Sequence, residues 1–299
     1  MVFALIALGY TMVYGILELI NFAHGDLFML GSFLALTLIK VFDLPTASSA
    51  TLLFALPTIA VVCAVFGGGL NWSVDRLVYK PLRNAPKLAP LVSAIGVSFI
   101  FQNLGLFWGG LPLFGSAKDA SAQKDVPALI SNVNLLGEGS HLRITTKDLM
   151  VIASSVIVMV ALYVLVRHTR LGKAMRATAQ NPAAARLMGI DVDRVIGATF
   201  VIGGGLAGIA SVIYALYINT VHYQAGFQNG LYAFTAAVLG GIGNIPGAVL
   251  GALVIGVVRA LSSQYIGAQW EPAVVFGMLI LLLVFRPAGL LGSHVREKV

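Results

Sequence analysis

Of the 299 residues, 58% are hydrophobic and only 10% are charged, which excludes a soluble globule of ordinary composition and marks an integral membrane protein. A net charge of +7 would point to nucleic acid in a soluble chain. Here the positive-inside rule accounts for it, because thirteen of the nineteen Lys and Arg fall in three segments, and no nucleic-acid partner is called for.

The chain opens on MVFALIALGYTMVYG, without a charged n-region or a small-residue cleavage site, so it reads as a membrane helix and not a removed signal peptide. Apolar runs at 2–20, 26–41, 49–72, 88–110, 148–166 and 195–217 predict spanning helices, at about 20 residues per crossing. The lone Cys63 lies in one of them, which leaves no disulfide framework and no cysteine-based metal site. The basic segments are Arg76, Lys80, Arg83 and Lys87; then Arg167, Arg170, Lys173, Arg176, Arg186 and Arg194; then Arg286, Arg296 and Lys298. With these in the cytoplasm, 49–72 and 148–166 run inward, 88–110 and 195–217 run outward, and 111–147 becomes an external loop. A small hairpin is expected there about Gly137-Glu138-Gly139.

The last third must cross an odd number of times. Its apolar stretches 231–243, 246–262 and 271–285 are interrupted at Gly243-Asn244-Ile245-Pro246-Gly247 and at Gln269-Trp270-Glu271-Pro272. Thirteen residues of helix rise only about 20 Å, so the first interruption should lie inside the membrane or near its inner face, against protein or water. The N-terminal part has a counterpart at Ile20 to Asp26. Each half reads as a broken pair, an inward helix, then Val-aromatic-basic-Pro, at Val78–Pro81 and Val284–Pro287. The expectation is an all-α polytopic membrane protein, one transmembrane domain over 1–299, with about eight to nine hydrophobic helices. Some are broken, and 1–87 and 230–290 form a diverged internal repeat in one orientation.

Polar residues within apolar runs are scarce and therefore informative. Glu18, Asn21, His24 and Asp26 surround the first break, with Phe22 and Gly25 between them. Gln102 and Asn103 sit within 88–110, Asn244 and Gly247 mark the second break, and Arg259 interrupts 246–262. For Asn21, Gly25 and Asn244, capping a broken helix and lining a substrate path are compatible roles. Asp26 reads as the start of a helix, and His24 and Asp26 as hydrogen-bonding residues rather than a proton relay. Gln102 and Asn103 read as bonds between helices, and Arg259 as lying near the external end or snorkelling. On this expectation both breaks face one cavity and approach each other across the membrane core, with Phe22, Phe28, Met29 and Ile245 as apolar lining.

Between Arg167 and Arg194 lies a polar, basic loop holding a short helix. Asn181 suits an N-cap, Pro182 the first helical position, and Gly189 a left-handed end. Two turns bury little in their own chain, so Ala184, Ala185, Leu187 and Met188 are expected to seat in a partner. The chain has no G-x-x-x-x-G-K-[ST] phosphate loop, no H-E-x-x-H and no G-x-S-x-G, so it is not expected to be an enzyme, and no metal or cofactor is called for.

INFAHGDLFMLGSFLA (Ile20 to Ala35), RLGKAMRATAQNPAAARLMGIDVDRV (Arg170 to Val195) and GGIGNIPGAVLGAL (Gly240 to Leu253), in this order, resemble a permease of the branched-chain amino acid ABC importers, the H-type member of the permease pair. The resemblance covers essentially the whole chain. It implies that the polar helix is a coupling helix, within a coupling loop over 167–194, that docks in a groove of an ATPase subunit. The general pattern Glu-Ala-Ala, three residues, Gly is met by Ala183-Ala184-Ala185 and Gly189, with Ala183 in place of Glu, so no salt bridge is expected from that position. It further implies a second, similar permease, two ATP-binding subunits, a periplasmic substrate-binding protein, residence in a bacterial inner membrane, and alternating access for leucine, isoleucine, valine or a related hydrophobic amino acid. Relatives carry amides or urea, which stay open as substrates. An ion-coupled secondary transporter would show paired buried ionisable groups across the breaks, and a passive small-solute channel would have no use for an exposed capped helix.

Overall fold

In the computed structural model the chain is described over residues 1–17, 21–83, 85–86, 88–115, 117–135, 137, 143–286 and 288–292. Glu18, Ile20, Lys87, Glu138, Gly139, Pro287, Arg296 and Lys298, all used above, lie outside the described residues. The elements are α1 (Val2–Leu17), α2 (Ala23–Val41), α3 (Ser49–Val74), a π-helical turn Asp75–Tyr79, α4 (Lys80–Leu82), α5 (Leu88–Gly109), β1 (Lys124–Asp125), α6 (Thr146–His168), α7 (Arg170–Gln180), α8 (Pro182–Leu187), α9 (Val192–Ile218), β2 (Thr220–Val221), α10 (Ala225–Gly240), α11 (Ile245–Tyr265) and α12 (Glu271–Phe285).

Seven of these stretches are long and apolar enough to cross a bilayer: Ala23–Val41, Ala50–Leu82, Leu88–Gly109, Thr146–His168, Val192–Ile218, Ile245–Tyr265 and Ala268–Phe285. The fold is thus all-α and polytopic. α1 and α10, each 16 residues, rise only about 24 Å against a hydrocarbon core of about 30 Å. They pack against each other and against α11, while α9 and α2 complete the buried centre. α3, α5, α6 and α12 form the outside, with Phe54, Val65, Phe107, Ile157 and Val284 exposed. Short helices survive at the centre because neighbouring protein meets their open backbone ends.

Helix starts follow the sequence closely. Ser48 caps α3, Thr145 and Asp148 make a capping box for α6, and Thr169, Asp191 and Asn244 cap α7, α9 and α11. The helix expected to begin at Asp26 begins at Ala23, so Asp26 lies within its first turn. The 13-residue run at 231–243 is extended backward by a turn and a half to Ala225, and of α10, α11 and α12 only the last two, α12 counted from Ala268, are long and apolar enough to cross. The element order of the proposed repeat is present, but its two halves pack differently. α10 and α11 form a close hairpin in which a Cβ on Gly247 would reach the Gly240 carbonyl, whereas α2 starts level with the middle of α1, His24 stacking on Tyr10 at 4.7 Å.

Contacts sort the chain ends into two sides. At one, β1 pairs antiparallel with β2, Lys147 donates to Asn219, and Lys40 donates to the Leu113 carbonyl. Asn134 bridges Thr145, so the ends of the expected hairpin do come together, while its tip lies outside the described residues. At the other side, Arg83 binds Asp193, Arg176 donates to the Val166 carbonyl, and Leu290 and Leu291 donate to the Leu239 and Gly240 carbonyls. Arg83 and Arg176 of the basic clusters lie on this second side, the one the positive-inside rule expects to be cytoplasmic.

Candidate coupling surface and substrate path

α8 projects from this basic side on a base supplied by α7. Arg170–Gln180 has one apolar face, and Gly172, Met175 and Thr178 on it are buried; a Cβ on Gly172 would collide with the Leu165 and Val166 carbonyls at the end of α6. The chain then turns at Asn181, whose side-chain oxygen accepts from the Ala183 and Ala184 amides, both at 3.0 Å. Pro182 occupies the first turn as expected. Gly189 closes the helix at φ +81, and the Gly189 and Ile190 amides return to the Arg186 and Ala185 carbonyls at 3.0 Å each. Such an end needs a residue without a Cβ penalty in the left-handed region.

What α8 offers outward is apolar: Leu187 is 89% exposed and Met188 83%. Ala184 is exposed with them, whereas Ala185 turns inward at 4% exposure and anchors the helix to its own chain. Two large apolar side chains this bare, on a capped helix in a basic loop, suit insertion into a partner's groove.

The buried polar residues form two groups. In the first, Asn21 is 2% exposed and donates its amide to Asn71 on α3 at 3.2 Å, and its carbonyl accepts from the His24 amide at 3.1 Å. Phe22 meets Phe234 at 6.2 Å, His24 lies against Tyr10, and Gly25 touches α10 so closely that a Cβ would lie 2.8 Å from the Gly230 Cα. Asp26 is fully buried and accepts from the Ser98 hydroxyl of α5; Gln102 in turn donates to the Ser98 oxygen at 3.1 Å. Gln102 bonds between helices as expected, meeting Asp26 of α2 as well as Ser98 of its own helix, whereas Asn103 bonds within α5 and faces outward with its amide on the Phe99 carbonyl at 2.8 Å. Ser98 and Gln102 together link α5 to Asp26. Phe28 and Met29 are buried, Phe28 against Tyr214 at 5.0 Å.

The second group is at the inner face. Asn244 accepts from the Gly247 amide at 3.1 Å and donates to the Leu291 carbonyl at 2.7 Å. A small cavity of about 70 Å³ beside it is lined by Gly243, Ile245, Thr11, Gly15, Met175 and Arg176, among others. The two breaks therefore flank the inner end of α1, where Gly15 abuts Gly243, but Asn21 turns toward α3 and Asn244 toward the tail. At the outer side a cavity of about 690 Å³ is lined by Asp148, Tyr217, His222, Asn229 and Arg259, together with Met1 to Phe3 and others.

Arg259 lies toward the outer end of α11, as expected, and does not stand alone. It pairs with Glu271 at 2.5 Å and lies over the rings of Phe3 and Tyr232 at 5.3 and 4.9 Å. This pair joins α11 to α12 and does not span the breaks. Sequence reasoning also missed an inner cluster in which Arg83 binds Asp75 at 2.6 Å and Asp193 at 2.5 Å, with Lys80 on Asp193 at 3.2 Å. Asn71 carried the same signal as Asn21, an amide inside an apolar run.

With this geometry in hand, comparison with known proteins is specific. Residues 1–284 match the family model described as branched-chain amino acid transport system / permease component. The chain is 39% identical over 299 residues to the high-affinity branched-chain amino acid transport system permease protein LivH of Salmonella typhimurium, covering 99% of this chain and 93% of that protein. It is 40% identical over 302 residues to the permease protein BraD of Pseudomonas aeruginosa, covering 99% and 94%. The archaeal LivH of Methanocaldococcus jannaschii, described as probable, is 28% identical over 283 residues, covering 94% and 83%. No solved structure matches. The chain is a multi-pass membrane protein that belongs to the permease component family of branched-chain amino acid transport systems.

Proposed function

We propose that this permease is one membrane-spanning subunit of an ATP-driven importer for branched-chain or related hydrophobic amino acids, resident in a bacterial inner membrane and working by alternating access. The observation that carries the reading is α8, a capped cytoplasmic helix whose Leu187 and Met188 have no cover in their own chain. On this reading α8 docks in an ATPase subunit, two such subunits drive a pair of permeases, and a periplasmic binding protein delivers substrate to the side bearing residues 111–147. ATP binding closes the ATPase dimer and displaces α8, and α9, which follows it directly, transmits that displacement to the bundle.

The substrate path follows the polar residues of the first group. Asp26, held by Ser98 and Gln102, supplies a carboxylate for the ammonium of an amino acid; Asn21, Phe22, His24 and Gly25 shape the path beside it, while Asn103, facing outward from α5, lies off it. Asn244 and Gly247 form its inner end. The deciding experiment is gentle extraction from native membranes followed by identification of partners. Two phosphate-loop ATPases and a second permease are expected, with uptake of labelled leucine competed by isoleucine and valine and not by urea or acetamide. Recovery of the chain without ATPases, or uptake that persists after ATP depletion, would overturn the reading.

A further inference from the structure

The inner ends of α3 and α9 enclose two adjoining hollows that neither α8 nor the buried polar groups use. The first, about 440 Å³, lies on the cytoplasmic side and is lined by the cations Arg76, Lys80 and Arg194 and the carboxylates Asp75, Asp191 and Asp193, with Trp72 at its membrane edge. The second, about 740 Å³, is an apolar groove running outward between the two helices, walled by Val61, Val65 and Gly69 of α3 and by Gly205 and Ile209 of α9. Trp72 and Val201 line both. A charged end at the water level, continuous with a trough in the hydrocarbon, has the outline of an amphiphile rather than of a soluble solute.

The sequence builds the trough with glycine. A Cβ on Gly204 or Gly208 would collide with the backbone of Gly67 or Cys63, so α3 and α9 meet backbone to backbone along one seam. Beside that seam a Cβ on Gly69 would meet nothing, and the surface opens. From Trp72 back to Pro57, which also lines the groove, the helix rises about 22 Å, more than one leaflet of a hydrocarbon core about 30 Å thick.

Most charges of the first hollow are already engaged. Asp75 and Asp193 hold Arg83, Asp193 also holds Lys80, and Asp191 holds Arg194 at 2.9 Å while capping α9. Among these ion pairs Arg76 has no carboxylate. Its exposed guanidinium lies over the Trp72 ring at 5.4 Å, and Trp72 itself is 44% exposed. A guanidinium that no carboxylate engages, between helices on the cytoplasmic side, attracts an anionic headgroup, and indoles favour the same level.

We propose that this double hollow holds one anionic phospholipid, its phosphodiester against Arg76 and Arg194 and one acyl chain in the groove between α3 and α9. The headgroup then rests on Asp191 to Arg194, the segment directly after α8.

The test uses the transporter extracted from its own membrane and read by native mass spectrometry, then delipidated and returned to phosphatidylglycerol, phosphatidylethanolamine or inorganic phosphate alone. Arg76→Gln removes the cation that has no carboxylate among the described ion pairs, and Gly69→Leu sets a side chain into the groove from a position where its Cβ meets nothing. Retention of phosphatidylglycerol is expected in the unaltered protein, with about tenfold weaker rebinding in each variant for one lost charge-assisted contact or a blocked trough. A third variant, Leu281→Ala on the exposed face of α12, should bind as the unaltered protein does. Equal lipid retention in all forms, equal binding of phosphatidylethanolamine, or binding of inorganic phosphate alone would overturn the proposal. So would a cysteine at Val65 that cross-links to a second permease, which would make the groove a subunit interface.

Discussion

Asn71 accepts the side-chain amide of Asn21 at 3.2 Å and donates its own to the Phe200 carbonyl at 2.7 Å, so one residue of α3 ties the first break to α9. Both amides are buried, and removal of either partner strands a polar group in an apolar surrounding. Asn21→Leu and Asn71→Leu are each expected to lower stability by about 1–3 kcal/mol, read as the thermal midpoint of the detergent-solubilised protein. The double variant should lose less than the sum, because the pair is lost only once. Strict additivity would show that the two amides do not work together.

Gly189 has room for a side chain, since a Cβ there meets nothing; the constraint is its φ of +81 alone. Gly189→Asn should therefore retain most transport, whereas Gly189→Val should lose at least tenfold, a left-handed β-branched residue costing about 1–2 kcal/mol or more at the helix end. Leu187→Asp, with no backbone strain, should abolish substrate-stimulated ATP hydrolysis while membrane insertion is unchanged. Uptake assays and proteoliposome ATPase measurements separate the two causes.

Arg259 and Glu271 are partly buried, and loss of one leaves the other uncompensated. Glu271→Gln is expected to cost about 1–3 kcal/mol, below the range for fully buried pairs because Arg259 keeps some access to solvent. Arg259→Met combined with Glu271→Gln should recover part of that loss. A double variant less stable than Glu271→Gln alone would contradict this account.

Ser121 is exposed on the side opposite the basic residues, its carbonyl within 3.1 Å of the His222 ring. A cysteine there should react with an impermeant thiol reagent added from outside intact spheroplasts, against a silent background because Cys63 is buried. Labelling only after the inner face is opened would invert the topology. Residues 111–147 carry mixed charges, among them Lys118, Asp119, Lys124, Asp125 and Arg143, so binding-protein contact on this side should weaken as salt rises.

Much of this fold was legible because a bilayer allows few solutions. Apolar run length marked the spans, and Asn181, Pro182 and Gly189 marked α8 nearly residue by residue. What escaped depends on which helices meet. Ser98 looked like any serine in an apolar helix until α5 brought it to Asp26, and Glu271 looked like a loop residue until α12 began with it beside Arg259. Asn103 shows the reverse: an amide can satisfy itself on its own helix, and spacing alone cannot tell that from a bond across a seam.

The π-helical turn at Asp75–Tyr79 makes one place in this chain forgiving of length. Such a turn carries an extra residue within an otherwise α-helical run. Deleting the exposed Leu77 closes the wide turn into ordinary helix and leaves Arg83 facing Asp193, with its reach intact. The same deletion at Gly68 swings everything beyond it by about 100°, at 3.6 residues per turn, and tears Asn71 from Asn21. Single-residue gaps in an alignment of permeases of this family should therefore gather at 75–79 and avoid the rest of the helix.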